Sequence, residues 1–283
     1  MADRPRTPTS AGSTATATVA EALGGAIPAL AAAGCATPRL DAELLVADAL
    51  GLDRAALVAD PGRELPRGTS RLIAERVRRR RVREPAAYIL GRKGFRRIEL
   101  AVDSRVLIPR PETELLVELA LDLPRGARVH EVGTGSGAVA LALADERPDL
   151  RVTASDASPD AVEVARANGA GQAVEVSLAR GLPPGDYDLV VANLPYVRAD
   201  EWDGLAPEIQ LYEPRAALVA GPEGLEAITG LAREVPVGTK LALEHAPGQA
   251  EAVRGLLADA ITHRDLAGRE RVTIGRRTVE SCG

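Results

Sequence analysis

The chain has 283 residues, enough for a sizeable core and about two domains, with the 46% apolar and 27% charged content of an ordinary globular protein. Its net charge of -5 argues against a general polyanion binder, and one Phe, one Trp and four Tyr leave little with which to stack single-stranded nucleic acid. No apolar run of about 18 residues exists to span a membrane and no apolar leader opens the chain, so a cytoplasmic protein is expected.

Cys35 and Cys282 lie far apart, with no spacing for a metal or a redox pair, and are expected to be free thiols. Residues 1–18 are rich in Ala, Thr, Ser and Pro without an apolar period and predict a disordered tail. Helical spacing then recurs at Leu23, Ile27 and Leu30, at Leu40, Leu44, Leu45 and Ala49, and at Leu72, Ile73 and Val77. Gly34, Gly51, Pro61 and Pro66 separate these stretches, so 19–85 is expected to be a small helical domain. Its last helix carries Arg76, Arg78, Arg79, Arg80, Arg81 and Arg83, read as a solvated face in preference to a patch for an acidic partner.

Alternation at Ile98, Leu100 and Val102 predicts a β-hairpin linker over 86–108. Pro111 suits the first turn of a helix, with Glu112 and Glu114 at the positive end of its dipole. Pro109 and Pro111 make a rigid elbow around Arg110, fit to line a cleft. From 128 onward strands at 128–132, 150–156, 173–176, 187–192 and 240–245 alternate with helices through Leu141 and Leu143, from Pro159, over 222–235 and over 248–259. Two terminal strands, near His263 and at 271–274, turn around Ala267-Gly268. This order predicts an α/β fold over 109–283, a mostly parallel sheet with helices on both faces and an antiparallel edge.

Ligands of such sheets bind beyond the carboxyl ends of the strands, and two stretches there carry chemistry. The first is Glu131-Val132-Gly133-Thr134-Gly135-Ser136-Gly137, between the first strand and its helix. Its G-x-G-x-G spacing is not the G-x-G-x-x-G of a dinucleotide site, and Glu131 suits a cationic amino group better than a phosphate. Asp156, ending the second strand, lies about 20 residues beyond the glycines, where a carboxylate accepts from both ribose hydroxyls. Together they point to an adenosyl site in which S-adenosylmethionine is bound by Glu131, Gly133, Thr134, Gly135, Ser136, Gly137 and Asp156.

The second stretch is Asn193-Leu194-Pro195-Tyr196, after the apolar run 188–192. An amide nitrogen is a poor nucleophile because its lone pair is delocalised, so a site that methylates one relies on positioning. The Asn193 side-chain oxygen and the Leu194 carbonyl are suited to accept from a substrate amide, Pro195 to stiffen the turn and Tyr196 to wall the planar group.

Asn-Pro-Pro-Tyr at this place marks amino-methyltransferases, and the chain resembles the HemK/PrmC family among them. Residues 109–114 resemble that family's Pro-Arg-Pro-Glu-Thr-Glu segment, and residues 84–91, 212–218, 244–249 and 265–271 its other landmarks, in order from about residue 20 to 277. The resemblance implies a class I S-adenosylmethionine-dependent methyltransferase fold, with a Rossmann-like, mostly parallel seven-stranded sheet, an N-terminal helical substrate-recognition domain and a β-hairpin linker. It implies methylation of a glutamine side-chain amide in the Gly-Gly-Gln loop of peptide chain release factors. Asn193 then touches the cofactor, and Asn193, Leu194, Pro195 and Tyr196 hold the glutamine.

Three departures stand out. Leu194 replaces the family's first proline, Glu131 its more usual Asp, and Val176-Ser177-Leu178-Ala179-Arg180 lacks the acidic residue expected near adenine, leaving aliphatic contact from Leu178. Rival readings are a glutamine methyltransferase of a ribosomal protein, an inactive S-adenosylmethionine-binding scaffold, and a dinucleotide reductase that the glycine spacing disfavours. His130, His245 and His263 read as packed or hydrogen-bonded, no metal is assigned, and Tyr88, Trp202 and Tyr212 either line a protein-substrate groove or simply pack.

Overall fold

The computed structural model describes residues 17–278; the predicted tail, except Ala17 and Thr18, and Cys282 lie outside them. Contacts divide the chain into two compact units, 1–89 and 90–283. Among the described residues no helix is long and apolar enough to cross a membrane.

The first unit contains α1 (Val19–Ala32), α2 (Pro38–Leu50), α3 (Arg54–Ala59) and α4 (Thr69–Arg81), with the short α5 (Ala86–Leu90) at its end. Thr18 caps α1 instead of closing the tail: its side chain accepts from the Glu21 N–H at 3.3 Å and its own N–H donates to Glu21 at 2.8 Å. Helix α3 escaped the periodicity, but Asp53, accepting from the Ala56 N–H at 2.7 Å, is the signal that begins it. Val19, Val46, Leu57 and Ile73 bring all four helices into one apolar cluster.

Helix α2 is not sided as its leucines suggest. Leu40 is 38% exposed while Asp41 and Glu43 are buried. Arginines account for this: Arg80 Nε lies 2.7 Å from Asp41, and Arg39 and Arg54 lie 2.8 and 2.7 Å from Glu43. The basic run of α4 is therefore not simply a solvated face. Arg80 is buried, and Arg76, Arg78 and Arg79 pair with Asp48, Glu75 and Glu84.

The second unit opens with the hairpin β1 (Arg92–Phe95) and β2 (Ile98–Ala101), and a turn of 3-10 helix at Pro111–Thr113 runs into α6 (Glu114–Leu121). There follow β3 (Arg128–Val132), α7 (Ala138–Glu146), β4 (Arg151–Asp156), α8 (Pro159–Asn168), β5 (Glu175–Leu178), β6 (Leu189–Ala192), β7 (Val197–Arg198), α9 (Pro207–Tyr212) and β8 (Val219–Gly221). The chain ends with α10 (Glu226–Glu234), β9 (Lys240–Glu244), α11 (Ala250–Gly255), β10 (Leu257–Arg264) and β11 (Glu270–Arg277). Seven strands form one sheet in the order β10-β11-β9-β6-β3-β4-β5, with β11 antiparallel to both neighbours and the pairs from β9 to β5 parallel.

Strand β6 lies at its centre with every residue buried. Val190 and Ala192, with Leu241 and Leu243 of β9, pack on Ile228 and Leu231 of α10 and Val253 of α11. The alternate residues Leu189, Val191 and Ala242 are equally buried, and α6 packs on the same two strands, so helices cover both faces as expected. The helix predicted over 248–259 stops at Gly255, because Leu257 and Ala258 are drawn into the ladder with β11 opposite Arg277 and Arg276.

Breaking a buried ion pair by removing one partner costs about 3–5 kcal/mol. Asp41→Ala is expected to destabilise the helical unit by that order in denaturant unfolding, and Asp41→Ala with Arg80→Met by clearly less.

Candidate functional site

In the sheet register Ala192 of β6 lies between Val132 of β3 and Leu243 of β9. Gly133 and Asn193, just past β3 and β6, and Glu244, the last residue of β9, follow next in sequence at the carboxyl edge. A cavity of about 400 Å³ opens there, lined by segments after β3, β4, β5 and β6 and by parts of 105–113 and 214–217.

The glycine loop is pinned by two carboxylates. Glu131 is buried, and its Oε2 accepts from the Thr134 hydroxyl at 2.6 Å and the Ala140 N–H at 2.9 Å. Burial pushes its pKa up to about 8, against the downward pull of those two donors. Asp156 accepts from the Gly135 N–H at 2.8 Å through one oxygen and from the Ser158 N–H at 2.9 Å through the other. Each oxygen of a carboxylate has two acceptor sites, so both retain one for a ligand. Gly133 has φ +76°, the left-handed region that favours glycine, and a Cβ there would lie 2.9 Å from Leu194 Cδ2, so the loop and the tetrapeptide are in close contact. Asn168, which the sequence reading passed over, ties this loop to the hairpin: its amide nitrogen donates to Ser136 and Ala101 carbonyls and its oxygen accepts from the Ala101 N–H.

Of the predicted residues, Glu131, Gly133, Thr134, Gly135, Ser136, Asp156, Asn193, Leu194 and Pro195 line the cavity. Gly137 does not; it caps α7 with φ +86°. Nor does Tyr196, which packs against the apolar cluster under β6 and β9, where burial pushes its hydroxyl up to about 12. Its carbonyl accepts from Gln249 Nε2 at 3.0 Å, and the same nitrogen donates to Gly224 O at 3.0 Å, so the turn after β9 braces the tetrapeptide's far end.

Asn193 donates from Nδ2 to the Thr113 hydroxyl at 3.0 Å. Thr113, Pro109 and Arg110 all line the cavity, as the rigid-elbow reading of the 109–111 segment expects. Glu213, buried, holds that segment by accepting from the Ile108 N–H at 3.3 Å and pairing with Arg110. Leu178, expected against adenine, is 58% exposed; Ala179, Arg180 and Gly181 line the cavity instead. The rule that ligands lie beyond strand ends points to these residues once β5 is seen to run to Leu178.

The histidines are structural where their bonds are seen. His130 lies 2.8 Å from Thr153 Oγ1 and 2.9 Å from Ser155 Oγ, with burial lowering its pKa to about 4, and His245 contacts the Ala246 carbonyl and Thr273 hydroxyl. Tyr88 is a core residue, and Arg215 sits over the Trp202 ring at 5.2 Å.

Residues 21–91 match the family model of the PrmC N-terminal domain and residues 111–217 that of the methyltransferase small domain. A release factor glutamine methyltransferase of Mycolicibacterium smegmatis is 41% identical over 281 residues, covering 92% of this chain and 98% of that one. The chain belongs to the release factor glutamine methyltransferase family. A second relative of that name, from Coxiella burnetii, is 40% identical over 85% of this chain and 92% of its own. Membership agrees with the observed sheet, which is the class I methyltransferase fold that the resemblance implied.

The raised Glu131 pKa has a defined sign. Its contribution to stability is complete below the unfolded value of 4.5 and is lost as pH rises to about 8, because the unfolded chain ionises first. A glutamine at 131 keeps an oxygen for both donors. Glu131→Gln is therefore expected to abolish a loss of stability that the wild type shows between about pH 5 and about pH 8, measured by urea unfolding without ligand.

Proposed function

We propose that this protein transfers the methyl group of S-adenosylmethionine to the side-chain amide nitrogen of the glutamine in the Gly-Gly-Gln loop of peptide chain release factors. The observation that carries the reading is that Asn193, Leu194 and Pro195 share one cavity with Glu131, Asp156 and the glycine loop. A donor site and an amide-binding turn thus open onto the same space.

The residues fit the cofactor. Asp156, with an acceptor site left on each oxygen, suits the two ribose hydroxyls, and Glu131, held toward its protonated form by burial, carries a carboxyl that an ammonium group beside it would draw into the charged form. Gly135 leaves open space where a Cβ would stand, so a ligand can approach the backbone. When bound, S-adenosylmethionine supplies an activated methyl group on a positively charged sulfur.

The chain's own work is positioning. Asn193 Nδ2 is engaged by Thr113, and among the described residues Asn193 Oδ1 has no hydrogen-bond partner. That oxygen and the Leu194 carbonyl are the acceptors for the two hydrogens of the glutamine amide. Holding both hydrogens fixes the nitrogen and favours electron density on it, which is what a weak nucleophile needs. Leu194 replaces a ring with packing: its side chain rests over Gly133 and against the apolar cluster beneath β6. In this reading the helical unit recognises the release factor, consistent with its match to the PrmC N-terminal domain.

Incubation with labelled S-adenosylmethionine and a release factor should label the protein substrate, and its Gln→Ala version should remain unlabelled. Asn193→Ala should lower turnover about 100-fold or more while cofactor binding persists in calorimetry. Label in the Gln→Ala substrate, or undiminished turnover by the variant, would contradict the reading.

A further inference from the structure

The reading above uses Thr113 only as the acceptor for Asn193 Nδ2 and gives Glu244 no task. Thr113 is 5% exposed and accepts from Asn193 Nδ2; Glu244, the residue after Leu243 in β9, is 1% exposed. Burial pushes the Glu244 carboxyl up to about 7, and hydrogen bonding from the Thr113 hydroxyl, the charge of Arg271 and the Tyr196 hydroxyl pull it down. Its Oε2 nevertheless lies buried without a hydrogen-bond partner among the described residues. A buried carboxyl left partly unsatisfied lowers stability, so the fold retains it at a cost.

The two ends of an asparagine amide have nearly the same shape, so packing alone does not decide which faces the cavity. The choice falls to the hydrogen-bond partner. A threonine hydroxyl has a single proton: if it gives that proton to a third group, its oxygen can only accept from the asparagine nitrogen. If no third acceptor exists, the hydroxyl turns and donates to the asparagine oxygen, and the nitrogen swings toward the cavity. An amide nitrogen there would face the substrate N–H groups donor to donor.

We propose that Thr113 and Glu244 are positioning residues that set the sense of the Asn193 amide, Glu244 accepting the hydrogen bond of the Thr113 hydroxyl so that Asn193 presents its oxygen to the substrate nitrogen. The inference rests on the glutamine-methylation reading. It assigns a task to the threonine of the 109–114 segment and to the carboxyl that ends β9.

The test compares wild type, Thr113→Val, Thr113→Ser and Glu244→Met in methyl transfer to a release factor, with cofactor affinity by calorimetry and Tm recorded for each. Thr113→Val should lower kcat about 100-fold with cofactor Kd and release-factor KM within about threefold of wild type, and Thr113→Ser should recover at least about tenfold of that loss. Glu244→Met, similar in size and without an acceptor oxygen, should lower kcat about tenfold or more while Tm stays the same or rises. A merely structural carboxyl would instead lose Tm and activity together. Wild-type turnover by Glu244→Met, or Thr113→Ser no better than Thr113→Val, would overturn the proposal, as would a loss of cofactor affinity matching the loss of turnover. Should Thr113→Val fail to fold, the Glu244→Met result decides alone. A wild type that transfers no label to the glutamine would instead overturn the methylation reading itself.

Discussion

Backbone hydrogen bonds hold β3, β6 and β9 in step, so that Gly133, Asn193 and Glu244 emerge side by side at one edge of the sheet. Everything at the site is built on that register. Every residue of β6 is apolar and buried, and β3 and β9 are buried after their first residue, so a slip by one residue would carry the buried His130, Glu131 and Glu244 to the opposite face. The loop after one strand then lies over the loop after the next so closely that Gly133 and Leu194 share space a single Cβ would fill.

Onto this frame the chain places carboxylates in positions where water would ordinarily be preferred. Glu131 holds the Thr134 hydroxyl and the Ala140 N–H of α7, Asp156 holds the Gly135 N–H, Glu213 holds the 108–110 segment, and Glu244 closes β9. Those with hydrogen-bond donors at hand act as staples for irregular backbone, which cannot satisfy itself as helices and strands do. Glu131 and Glu244 are shifted toward their protonated forms by burial, so the edge of the sheet combines rigidity with groups that respond to pH near neutrality.

Much of this was legible in the residues. Alternating apolar runs and helical periods located the sheet and most of its helices, and the glycine stretch with Asp156 located one side of the cavity. The differences between expectation and structure have local causes. The helix over 248–259 had compatible spacing, but pairing with β11 claimed Leu257 and Ala258. Leu178 lies one residue short of the lining, and Tyr196 turns under the sheet because the tetrapeptide's turn points its ring at the apolar cluster. The basic run on α4 could not show its acidic partners, since Asp41 and Asp48 belong to another helix.

The sequence by itself determined the kind of fold, the places where strands give way to loops, and the residue types standing there, because periodicity and turn chemistry are local properties. Only the tertiary structure decided which of those residues face one another. The contacts of Asn193 with Thr113, of Gly133 with Leu194 and of Arg110 with Glu213 join segments separated by 61 to 103 positions along the chain. Such contacts exist only once strand order and register are set, and neither can be read from the period of a single segment. For that reason Asn193 was recognisable from its motif, whereas the hydroxyl that orients it was not.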